Sequence, residues 1–270
     1  MELFNEQEYA RWIALPEKKK RKVLNKSFRL ILDIADREES EIKAWEKQSD
    51  EEKKVGHVYV AATVQIFWDN VRLMMHLGED RFANFAFYPA RTCMETFLQF
   101  FYFCKQDQGK KDEIAVKELL RSALKYYQAE KAAGGTGDQY ADFYKFHTTL
   151  VSVPPIEKVK DDDLRLFPGI RKLCDEYSTS QAKSLYSIYQ YLCEDVHGRI
   201  LSNVIRRQSE EAENYRRSLI IIFSFCKDML LLVDRDYLGT RFRKEVEAVI
   251  PTVDAMLKKS IAKRRFFSFG

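Results

Sequence analysis

The chain has 270 residues, enough to bury one sizeable core or two small ones. Its 45 basic and 41 acidic residues leave a net charge of +4, a mixed surface that permits RNA or DNA as a partner without calling for either. With only 10 Gly and 6 Pro among abundant Lys, Glu, Ala, Leu and Arg, the composition favours long helices and few turns. Five cysteines (Cys93, Cys104, Cys174, Cys193 and Cys226) form no C-x-x-C pair, and no segment reads as a signal peptide. The expectation is an intracellular, cytoplasmic chain with reduced thiols.

The predicted elements follow in order. Residues 5 to 14 read as a short helix with Tyr9, Trp12 and Ile13 on one side, stopped by Pro16. Pro16 then sits near the first turn of a second helix running through Phe28, Ile31, Ile34 and Ile42 to about Gln48, its apolar spacing broken around Asp36 to Ser40. The basic run from Lys18 to Lys22 resembles a nuclear localisation signal, but it lies inside a helical pattern and reads first as a solvated face. Ser49 with Glu52 fits a capping box for a third helix ending near Leu77.

A fourth helix spans about Asp80 to Lys105, with Pro89 expected to kink it or delay its regular start until just before Arg91. It is almost wholly apolar except for a stripe of Arg91, Thr92, Glu95, Thr96 and Gln99, which helical spacing places on one face. A fifth helix, about Asp112 to Ala133, ends at Gly134-Gly135-Thr136-Gly137, which lacks the strand and the Gly-Lys-Ser/Thr that a phosphate loop requires. After a short helix, Gln139 to Leu150, residues 151 to 166 read as a long loop, with Asp161 to Asp163 as a solvated stretch or helix cap rather than a cation site.

Further helices are expected from Gly169 to Tyr177, from Ser180 to Val196, from Ser209 to near Asp234 and from Thr240 to about Lys263. The run Leu219 to Val233 is apolar nearly all round and reads as a central buried helix; Lys227 and Asp228 interrupt it. A charge at mid-membrane costs ~2.5 to 3.5 kcal/mol, so neither this run nor the Arg91 helix reads as a membrane span. The basic and aromatic tail from Lys258 to Phe269 reads as a solvated helix end before a nucleic-acid or membrane contact. No strand pattern appears, so the fold class is all-α, a multi-helix bundle of about eight to ten helices without significant sheet. Its parts are an N-terminal extension at 1–48 and a main domain at 49–270, with a subdivision open in the 151–166 loop.

Of four histidines, only His197 has an acidic neighbour at helical spacing, Glu194, with Gln190 and Cys193 on the same side. That position borders core and surface, where a titrating group is useful; a histidine at a helix C-terminus beside Gly198 is equally what the helix dipole favours. The pair Tyr88-x-x-Arg91-x-x-x-Glu95 and Tyr189-x-x-Leu192-Cys193-x-x-x-His197 resembles a domain-of-unknown-function family of helical prokaryotic proteins, whose helices carry R-x3-E and Y-x2-L-S-x3-H. The resemblance covers roughly residues 69 to 234, and Cys193 stands where serine is usual. It implies an all-helical fold and a shared polar site of Arg91, Glu95 and His197, with no established activity. The chain looks only distantly like helical ribonucleases of the HEPN superfamily, because no Arg precedes His197 at their spacing.

As chemistry, the set suits a metal-independent site directed at nucleic acid or another phosphate-bearing substrate. His197 serves as acid or base, Glu95 or Glu194 orients it, and Arg91 meets anionic charge, with Tyr88, Tyr189, Cys193 and Arg199 as binding neighbours. The competing reading is a non-enzymatic helical interaction module in which the same residues form a polar network that fixes helix register. Glu194-x-x-His197 is half of a di-iron motif with no second half, and an apolar context argues against Cys193 as a nucleophile; no cofactor is implied. A homo-oligomer with paired sites stays open.

Overall fold

The computed structural model describes residues 6–47, 54–77, 86–148, 151–177, 182–196 and 208–262, and among these there are eleven helices and no strand. They are α1 (Glu6–Ile13), α2 (Glu17–Lys47), α3 (Lys54–Leu77), α4 (Phe87–Cys104), α5 (Gln108–Ala132), α6 (Asp138–His147), α7 (Asp161–Leu164), α8 (Ile170–Tyr177), α9 (Ala182–Val196), α10 (Gln208–Asp236) and α11 (Arg243–Ala262). No helix among the described residues is long and apolar enough to cross a membrane.

Helical periodicity builds the main core. Leu24, Phe28, Ile31, Ala35, Glu38 and Ile42 of α2 and Val60, Val64, Phe67, Val71 and Met74 of α3 recur every three or four residues, and all are buried. In α10, Leu219, Ile222, Phe223, Cys226, Met229, Leu230 and Val233 are buried, as the apolar run requires of a central helix. α4 lies in the middle, touching α3, α5, α8, α9 and α10. Its Phe97 meets Phe225 of α10 at 5.0 Å between ring centroids and Tyr177 of α8 at 5.1 Å. Burying one such aromatic ring is worth about 1.5–3 kcal/mol, so α4 is anchored chiefly by its apolar side chains.

Two expectations change. The regular helix α4 begins at Phe87 rather than just before Arg91, so Pro89 falls in its first turn, where a missing N–H is harmless; residues 80–85 lie outside the described residues. The 151–166 stretch carries apolar side chains into a core: Ile156, Val159 and Leu164 pack with Val116, Leu120, Leu124 and Tyr144 in a second, smaller cluster. Within it, Asp161 at the start of α7 takes a two-pronged bond from Arg121 of α5, Nε to Oδ1 at 2.6 Å and Nη2 to Oδ2 at 2.9 Å, which gives that carboxylate a partner. Asp163 caps the Lys160 N–H at 2.8 Å and Asp162 is exposed, in keeping with a helix cap. The Lys18–Lys22 run is helical but not wholly solvated, since Lys20 is buried and Lys19 Nζ donates to the Ser260 carbonyl at 2.8 Å.

The glycine terminator behaves as expected. Gly134 and Gly137 have φ of +86° and +71°, the left-handed conformation that ends α5 and opens α6. The last helix starts later than Thr240, because the Asp234 side chain reaches forward to accept the Phe242 N–H at 2.7 Å and holds the intervening residues in a turn. The Ser49–Glu52 cap and the tail beyond residue 262 lie outside the described residues.

Candidate functional site at the seam of α4 and α9

Arg91 and Glu95 stand one turn apart on α4, and Arg91 Nε donates to Glu95 Oε1 at 3.0 Å. Tyr189 of α9 donates its hydroxyl to that same Oε1 at 2.6 Å, a length typical of a bond to a charged acceptor. The Arg91 guanidinium carbon lies 5.5 Å from the centroid of the Tyr189 ring, within cation–π range. Cys193, one turn beyond Tyr189, adjoins both groups. The side chains of Arg91 and Glu95 are 23% and 31% exposed, so the seam is neither fully interior nor a solvent strip.

Burial opposes the Arg91 charge, but the bond to Glu95 and its negative charge outweigh that and hold the guanidinium above its ordinary pKa. Burial, followed by the bond to Glu95, pushes the Tyr189 hydroxyl well above the tyrosine range. Tyr189 therefore keeps its proton at neutral pH and acts as a donor, not as a base. Among the described residues, the two Nη atoms of Arg91 have no hydrogen-bond partner; that edge is the part of the cluster able to meet an anion.

Of the expected site, Arg91, Glu95, Tyr189 and Cys193 come together. Tyr88, at the start of α4, is 49% exposed, and its carbonyl accepts from Thr92 Oγ1. His197, Arg199 and the side chain of Glu194 lie outside the described residues. No group of three or more His, Cys, Asp or Glu side chains among the described residues could hold a metal ion. The polar stripe of α4 also divides: Thr96 and Gln99 turn to a groove of about 260 Å³ between α3, α4 and α5, together with Tyr59 and Glu118. Nothing in the sequence singles out those last two residues, since they meet only when α3 and α5 pack. Comparisons with protein-family models, curated proteins and solved structures find no match.

Proposed function

We propose that this chain is a non-enzymatic helical interaction module in which Arg91, Glu95 and Tyr189 fix α9 against α4. The observation behind this reading is the double use of Glu95 Oε1, which takes one donor from its own helix and one from α9. Such an arrangement satisfies a half-buried carboxylate and sets one register between the two helices. The tyrosine's raised pKa suits a permanent donor.

The Nη edge of Arg91 favours a second reading, a metal-independent site for RNA, DNA or another phosphate-bearing ligand, with His197 as acid or base and Glu95 or Glu194 orienting it. Labelled RNA and DNA incubated with the wild type, Glu95→Gln and His197→Ala, with and without chelator, separate the two. The module reading expects no cleavage by any of the three and reduced stability in Glu95→Gln. Cleavage by the wild type that both variants lose while staying folded sinks it in favour of the second.

A further inference from the structure

Where α2 packs against the corner between α10 and α11, the core contains two carboxyl groups, Glu38 and Asp234, each 0% exposed. Asp234 organises the corner: its carbonyl accepts the Thr240 N–H at 2.9 Å and its Oδ1 accepts the Phe242 N–H at 2.7 Å. α2 meets the same segment through the residues on either side of Glu38. Arg37 pairs with Glu245 and lies 5.5 Å from the Phe242 ring centroid, and Glu41 pairs with Arg241. Arg37 and Glu41 are one turn apart on the exposed rim, so Glu38 turns inward against the segment that Asp234 holds.

Among the described residues, neither Oε atom of Glu38 nor Oδ2 of Asp234 has a hydrogen-bond donor, and all three are sealed from solvent. Two bare carboxylates in one core would repel each other without solvation; a single proton between them removes one charge and supplies the missing donor. Glu38 is the member that carries it, since nothing donates to either of its oxygens, whereas Asp234 has the Phe242 N–H. The neighbouring cations are directed elsewhere: Arg37 at Glu245, Arg241 at Glu41, and Arg72 of α3 at Asp36 and Glu39. Burial and the charge of Asp234 raise the Glu38 pKa to about 9 against the opposing effect of Arg37.

We propose that Glu38 and Asp234 share one proton, donated by Glu38 to Asp234 Oδ2, and that this bond latches the α10–α11 corner to α2 and opens when the proton leaves. The closed corner holds the proton more tightly than an opened one in which Glu38 meets water. Closure is therefore strongest at low pH, weakens as pH rises from the ordinary glutamate range, and levels off above about 9. Glu38→Gln keeps an N–H donor for Oδ2 and cannot ionise. The test follows amide exchange at Thr240 and Phe242, each divided by its intrinsic rate, from pH ~6 to ~9 in the wild type and Glu38→Gln, with carboxyl carbon NMR shifts recorded on the wild type. The latch predicts protection at these amides at least about tenfold below that of the α4 centre, falling about tenfold between pH ~7 and ~9 in the wild type and flat in Glu38→Gln. The Glu38 and Asp234 carboxyl carbons should move together in one step. Corner exchange that matches the α4 centre, a pH slope that persists in Glu38→Gln, or an Asp234 carbon that stays still while Glu38 titrates overturns the inference.

Discussion

Tyr189 and Glu95 are 94 positions apart in the chain and joined by a 2.6 Å bond that ties the middle of α9 to the middle of α4. Glu95 holds that tyrosine with the oxygen it also offers Arg91. Replacing Tyr189 with Phe removes the donor while keeping the ring under the guanidinium, at an expected cost of about 1 kcal/mol at this half-exposed position. Because the bond is local to α9, amide exchange in 182–196 should quicken several-fold while the centre of α10 is little changed. Equal acceleration in both helices would show that the bond has no local role.

Glu38 gives a pH dependence with a defined sign. It occupies a core position of the α2 stripe, 0% exposed, with both carboxyl oxygens sealed and without hydrogen-bond partners. Burial first, and then the charge of Asp234, raise its pKa to about 9. An unfolded glutamate titrates near ~4.3, so between these values the folded state binds a proton that the unfolded state has released. Stability from this group is full below the unfolded value, falls as pH rises through the window and levels off above about 9. Glu38→Gln should abolish that slope and stabilise the protein at pH ~8 by on the order of 2 kcal/mol. Urea midpoints across the window check it; parallel curves for variant and wild type would refute the assignment.

Backbone conformation sets opposite expectations at two turns. Thr240 has φ of +66°, unfavourable for a β-branched residue, and its side chain is exposed. Thr240→Gly should raise the melting temperature, stabilising by about 1 kcal/mol. Gly137 has φ of +71°, and a Cβ there would stand 2.6 Å from the Tyr127 ring, so Gly137→Ala should destabilise by about 1–3 kcal/mol. A calorimetric scan in which both substitutions shift melting in the same direction would contradict this pairing.

Periodicity alone was enough to locate α2, α3 and the buried α10, because an apolar stripe repeats wherever a helix faces a core. It misread the α2 stripe as broken around Asp36 to Ser40, since a hydropathy pattern counts Glu38 as polar whereas a buried carboxyl with a raised pKa enters the core uncharged. Arg91 and Glu95 were recognisable as a pair by their spacing within one helix. That Tyr189 would bond Glu95, or that Arg121 would hold Asp161, depends on how distant helices pack, and neither sequence stretch encodes the other's position. Thr96 and Gln99 show the same limit: one stripe on paper, they face a different neighbour from Arg91 once α5 is in place.

The most direct test of the α4–α9 lock is the coupling free energy between Glu95→Gln and Tyr189→Phe, from urea unfolding of the wild type, both single variants and the double variant. A shared bond that fixes the two helices predicts coupling of about 1 kcal/mol, the double variant losing less than the sum of the singles. Additive losses, with coupling below ~0.3 kcal/mol, would mean that the bond does not lock α9 and would contradict the proposed role of the cluster.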